Sequence, residues 1–183
     1  MGRIAVFLAD GFEEIEGLTV VDICRRCGIE VDTISVMGRK EINGSHGIIV
    51  QADLLLSDSD FSVYDMLVLP GGKAGTENLE SCIPLMEQLD AFYKAGKYIA
   101  AICAAPSIFG HRGFLKGRRA CSYPDFESHL DGAEVTEGPV AVDGKVLTSR
   151  GMGTSIDFAL AIVETFCGRE VAVGMAQKIV YTK

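Results

Sequence analysis

No stretch of this 183-residue sequence is long and apolar enough to span a bilayer. The amino terminus turns polar by Asp10, too soon for a secretory leader. Position 6 holds Val6 where a myristoylation signal needs Ser or Thr. These absences make a soluble, cytoplasmic protein the expectation. Basic residues are in deficit, 17 Lys and Arg against 25 Asp and Glu, for a formal net charge of -8. That balance argues against non-specific nucleic-acid binding, which needs cations to displace counterions from phosphates, and against a polybasic membrane surface. Six cysteines in this length are too few for a disulfide framework, so each is read as packing or as a reactive thiol. Repeats, linkers and low-complexity tracts are also missing, and residues 1–183 read as one domain. What is present is a globular composition, 48% hydrophobic and 23% charged, enough to bury a core without metals or disulfides.

Short apolar runs alternate with amphipathic ones. Apart from Arg3 itself, the run Arg3 to Ala9 is apolar, as a strand covered on both faces would be. The spacing of Val20, Ile23, Cys24 and Cys27 predicts a helix over 13–27, stopped by Gly28. Strands are expected over 30–37, 47–52, 65–69 and 97–102, and a helix over 84–95 with Pro84 in its first turn. Another helix follows Pro106. Asp143-Gly144 between alternating apolar residues predicts a hairpin over 140–148. A Thr-x-x-Asp start predicts a helix over 154–167, with Gly168 after its end. The alternation argues for an α/β fold, a doubly wound and mainly parallel sheet with helices on both faces. Right-handed crossovers then gather the loops 10–16, 70–76, 103–106 and 149–154 at one edge of the sheet, where ligands bind.

Cys103 ends an apolar strand and opens a helix, the setting of a nucleophile elbow. Helix-terminal N–H groups there would lower its pKa below the free value of about 8.5. A buried core cysteine is the alternative. Glu16 is one of three acids in Glu13-Glu14-Ile15-Glu16, where acids also serve simply to complement a helix dipole. Its interest is that it could reach a cysteine at the end of a neighbouring strand. Close to a thiolate its own pKa would rise, and it could donate a hydrogen bond to sulfur or move protons. The amides of Gly72 and Ala104 could form an oxyanion hole, and Gly151 to Thr154 offers further backbone donors. Neither glycine stretch matches a phosphate-binding motif. Cys24-Arg25-Arg26-Cys27 spells C-x-x-C but lies at the carboxyl end of its helix, where the dipole opposes a thiolate, so packing is expected. Cys82, Cys121 and Cys167 read the same way. No spacing of ligands predicts a metal site. None of His46, His111 and His129 adjoins Cys103 in sequence, which weakens a protease reading.

The chain resembles the ThiJ/PfpI superfamily, most of all its DJ-one branch. The resemblance rests on Gly11-Phe12-Glu13-Glu14-Ile15-Glu16, Val68-Leu69-Pro70-Gly71-Gly72, and Ala100-Ala101-Ile102-Cys103-Ala104-Ala105-Pro106. Leu147-Thr148-Ser149-Arg150-Gly151 and Gly153-Thr154-Ser155 leading into Phe158 to Glu164 extend it. It implies a flavodoxin-like three-layer sandwich and a homodimer. It places Cys103 as the family's reactive cysteine, Glu16 as the protonated glutamate beside it, and Gly72 and Ala104 as the backbone positions at the sulfur. Tyr123, Arg150 and His46 are implied as supporting residues. Tyr123 stands where the branch commonly has a histidine, and tyrosine, with a pKa of about 10, is a poor general base near neutrality. The expected function is a cofactor-free, cysteine-dependent glyoxalase or deglycase acting on α-oxoaldehydes or their glycated adducts. The alternative is an oxidation sensor or chaperone-like protein whose cysteine forms sulfinate without turnover.

Overall fold

A computed structural model describes residues 2–182. Met1 and Lys183, the ends of the expected 1–183 domain, lie outside the described residues. In chain order the first elements are β1 (Arg3–Leu8), α1 (Glu14–Arg26), β2 (Glu30–Ser35), β3 (Glu41–Asn43), β4 (Ile49–Gln51), β5 (Leu54–Leu55) and β6 (Met66–Leu69). There follow α2 (Lys73–Ser81), α3 (Ile83–Lys94), β7 (Tyr98–Ile102), α4 (Pro106–His111), β8 (Arg119–Ala120) and β9 (Glu134–Val135). The chain ends with β10 (Val140–Asp143), β11 (Val146–Ser149), α5 (Ser155–Cys167) and α6 (Arg169–Lys178).

Seven strands form the main sheet in the order β10-β11-β7-β6-β1-β2-β5. All pairs are parallel except the β10–β11 hairpin at one edge. The chain winds outward from β1 in one direction, then returns to β6 on the other side and winds away. The order therefore reverses between β1 and β6, which opens a crevice at their carboxyl ends. Alternation along β1 splits the core into two layers. Ile4, Val6 and Leu8 face α1 and α5 with Val20, Phe158 and Ile162. Ala5 and Phe7 face the other layer with Leu89, Ile108 and Phe109. Each fully buried side chain of this size contributes about 2–3 kcal/mol.

Three local readings change. The 70–76 segment becomes a helix at Lys73, because Leu79 buries and the Asn78 amide donates to the Asp10 carbonyl at 2.9 Å. Those are tertiary anchors that a polar, glycine-containing stretch does not announce. Helix α6 covers Ala172 and Met175 against α5 and was not expected. The Thr154 hydroxyl does not cap α5; it accepts from the Gly151 N–H at 3.1 Å, and α5 starts at Ser155.

Candidate functional site

The crevice is built from the loops after β1, β6, β7 and β11. At the end of β7 the backbone turns sharply, and Cys103 takes φ 66, a left-handed conformation for a non-glycine residue. Such a conformation costs roughly 1–3 kcal/mol and persists only where neighbours impose it. Here the Cys103 N–H donates to Ser149 O at 3.0 Å and its carbonyl accepts from Tyr123 N–H at 2.8 Å. The elbow expected from the sequence is present, and its side chain is half-buried.

Helix α1 brings Glu16 to this point, 1% exposed. Its Oε2 accepts from Gly71 N–H at 2.9 Å. Its Oε1 is buried with no partner of regular hydrogen-bond geometry; the group it interacts with is the Cys103 thiol. A Cβ on Gly151 would lie 3.9 Å from Cys103 Sγ and 4.0 Å from Glu16 Oε1, so both atoms face the same spot. A Cβ on Gly71 would come within 2.5 Å of both Cys103 Cβ and Glu16 Oε2, which only glycine avoids. Gly72 has φ 87, and its N–H and that of Ala104 bear on the Cys103 sulfur. The Gly151 N–H is held by Thr154, so that loop has one donor fewer than expected.

Burial pushes Glu16 up to about 7; the thiol and the Gly71 N–H oppose this, and the charge of Glu13 adds to it. Burial likewise pushes Cys103 up to about 12, helped by the negative charge of Glu16 and opposed by the Gly72 and Ala104 amides. This corrects the expectation of a lowered thiol pKa. Helix α4 is six residues long and begins only at Pro106, so its dipole does not outweigh burial beside a carboxylate. Removing the charge of Glu16 removes the second cause of the rise. The protonation of each group therefore bears on that of the other.

A cavity of about 470 Å³ opens over the sulfur. Glu16, Gly72, Ala104, Tyr123 and His46 line it with Cys103, as expected. Glu13, Lys73, Asp125, Phe126 and Met152 complete the lining and were not singled out from the sequence. Glu13 and Met152 lie within stretches already noted, whereas Lys73, Asp125 and Phe126 carry no motif and are delivered by the fold. A larger hollow of about 560 Å³ between β10, α5 and α6 has no cysteine, histidine or serine in its wall.

His46 sits at the rim, with Nδ1 3.1 Å from Glu13 and 3.2 Å from Glu14, and these acids raise its pKa, Glu14 first. Among the described residues these three alone bring ligand atoms within 4.8 Å of one another in a number suited to a metal. Each is already engaged, Glu14 also by the His46 N–H and the Ser45 hydroxyl. Arg150 does not line the cavity: it pairs with Glu127 at 3.4 Å and so ties the 149–154 loop to the turn after Tyr123. His111 and His129 bond to each other at 3.1 Å, His111 also to Glu80, away from the cavity wall. Cys24 is fully buried, in keeping with a packing role.

Known proteins share this arrangement of elements. The DJ-1/PfpI family model matches residues 2–165. The Arabidopsis thaliana protein DJ-1 homolog B is 39% identical over 97% of the chain and 41% of its own length. The chain thus spans about two fifths of that relative. A glutathione-independent glyoxalase of Caenorhabditis elegans is 31% identical over 86% of the chain and 84% of its own length. The solved structure of oxidized Toxoplasma gondii DJ-1 superposes with a TM-score of 0.95 at 34% identity, covering 100% of both chains. The flavodoxin-like architecture, the elbow and the match over nearly the whole chain agree: this protein belongs to the DJ-1/PfpI family.

Proposed function

We propose that the protein is a cysteine-dependent, cofactor-free enzyme of the glyoxalase or deglycase type, acting on α-oxoaldehydes or their adducts. The observation that carries this reading is the buried Glu16 carboxyl with its Oε1 turned to the Cys103 sulfur, at the floor of an open cavity. The name of the Caenorhabditis elegans relative supports it. The reactive state is the one in which a proton rests on Glu16 and the sulfur is a thiolate. Cys103 Sγ attacks the aldehyde carbon of methylglyoxal and forms a C–S bond; the carbonyl oxygen takes the proton and becomes the hydroxyl of a hemithioacetal. The Gly72 and Ala104 amides stabilise the oxygen charge as it develops. Glu16, now a carboxylate, removes the proton from that carbon and returns it to the neighbouring carbon, while the hydroxyl proton passes to the neighbouring carbonyl oxygen, which converts the hemithioacetal to a thioester. Water then cleaves the thioester, releasing lactate and the thiol. The balance is methylglyoxal plus water to lactate and a proton, with no external oxidant. Wild type should produce lactate and Cys103→Ser should lose at least a hundredfold of the rate; equal rates would sink the catalytic reading.

A second reading, an oxidation sensor without turnover, is favoured by Tyr123, which contributes no base to the cavity and is 47% exposed. Mild peroxide followed by intact-mass measurement separates the two. A stable dioxygen adduct on Cys103 with negligible lactate formation selects sensing. In both readings the partner is a second copy of the chain. Ile15, Ile48 and Ile49 are 51%, 52% and 61% exposed on the neighbouring faces of α1 and the β3–β4 ribbon, and a patch of this kind is suited to self-complementary pairing.

A further inference from the structure

Three cysteines outside the Cys103 cavity meet where α1, α5 and α6 end. Cys24 and Cys27 lie three residues apart at the carboxyl end of α1, and Cys167 is the last residue of α5, which packs along α1. The Cys167 Sγ is 3.9 Å from the carbonyl oxygen of Cys27, a contact spanning 140 residues of chain. All three thiols are free; Cys24 is sealed, whereas Cys27 and Cys167 are half-buried. Burial first, and then the neighbouring Cys167, raise the pKa of Cys27, and Lys178 of α6 opposes them.

We propose that Cys27 and Cys167 form a reversible disulfide when the protein meets a peroxide, stapling the carboxyl ends of α1 and α5 together. The C-x-x-C motif then takes part through its second cysteine, with a partner from another helix instead of its own. One of the two half-buried thiols reacts first: as the thiolate it attacks one peroxide oxygen, the O–O bond breaks, and the sulfur becomes a sulfenic acid as water leaves. The thiol of the other attacks that sulfur, the S–O bond breaks, and a second water leaves. Two thiols are oxidised and one hydrogen peroxide is reduced to two waters. Cys24, beneath the two thiols, has no access to the oxidant. The closed loop is long, so the staple restrains the unfolded chain strongly, and it anchors the helix that carries Glu16.

The experiment treats Cys103→Ser with hydrogen peroxide, blocks the remaining thiols with N-ethylmaleimide, and reads intact mass and non-reduced peptides. The expected result is loss of two hydrogens, a Cys27–Cys167 linked peptide, and an unfolding midpoint several degrees higher, all reversed by dithiothreitol. Cys27→Ser and Cys167→Ser should each abolish the link. A Cys24–Cys27 link, or full maleimide labelling of Cys27 and Cys167 after peroxide, overturns the proposal. Wild type run in parallel should give the same Cys27–Cys167 linked peptide irrespective of whether Cys103 turns over any substrate.

Discussion

At the scale of single residues, the site turns on the coupling between a buried carboxyl and a thiol. Glu16 is kept out of water, and its Oε1 lacks a regular partner. An ionised carboxylate there is costly unless something neutralises it. Protonation supplies the neutral form and at the same time relieves the repulsion that raises Cys103. Glu16→Gln should therefore move the pH of half-maximal Cys103 alkylation down by about one unit or more; an unmoved profile would show that Glu16 does not control the thiol. The same substitution bears on stability. The folded pKa of Glu16, about 7, lies above its ordinary 4.5. The folded state then holds a proton that the unfolded state has released, so stability falls as pH rises through that window, by about 3 kcal/mol at most. In Glu16→Gln that slope should flatten.

At the scale of elements, α1 does two jobs from its first turn. Glu16 points down into the crevice, while Glu14 holds the β3–β4 turn. The Glu14 side chain is 5% exposed and accepts from the His46 N–H at 2.8 Å and the Ser45 hydroxyl at 3.1 Å. Burial opposes its ionisation, but these donors prevail and hold it down to about 2. Gly44 lies so close that any Cβ there would collide with the Glu14 carboxylate. Glu14→Ala should leave a buried N–H unpaired and cost about 1–3 kcal/mol. Denaturant titration reads the loss, and hydrogen exchange should quicken at residues 44–47. If both stay at wild-type values, the turn is held by something else. Because His46 rides on that turn, the rim of the cavity should loosen with it.

At the scale of the whole molecule, the reversal of strand order between β1 and β6 decides where chemistry sits. Every residue bearing on the sulfur comes from a loop or helix start at that end of the sheet. The exposed isoleucines beside it give the fold its second surface. Light scattering should report a dimer for wild type and a monomer for the Ile48→Glu/Ile49→Glu double variant, with an unchanged circular dichroism spectrum. A monomeric wild type would remove the case for pairing through this face.

The sequence by itself determined the architecture and the elbow. Short apolar runs such as Arg3–Leu8 and Tyr98–Ile102, set between helical patterns, read as strands covered on both faces, and Cys103 directly after one of them falls where a strand gives way to a helix. It also marked Glu16, Gly72 and Ala104 as positions to watch. Tertiary structure decided the rest, because burial and proximity are properties of the folded chain. The direction of the Cys103 shift depends on how much solvent Glu16 and the sulfur lose together, which no spacing of residues encodes. Helix α2 was hidden because its anchors, Leu79 in the core and Asn78 on Asp10, are contacts with distant chain. Arg150 was implied as a supporting residue, and only the folded chain shows its partner, Glu127, 23 positions away. Cys167 showed no motif at all, and only the packing of α5 on α1 sets it beside Cys27.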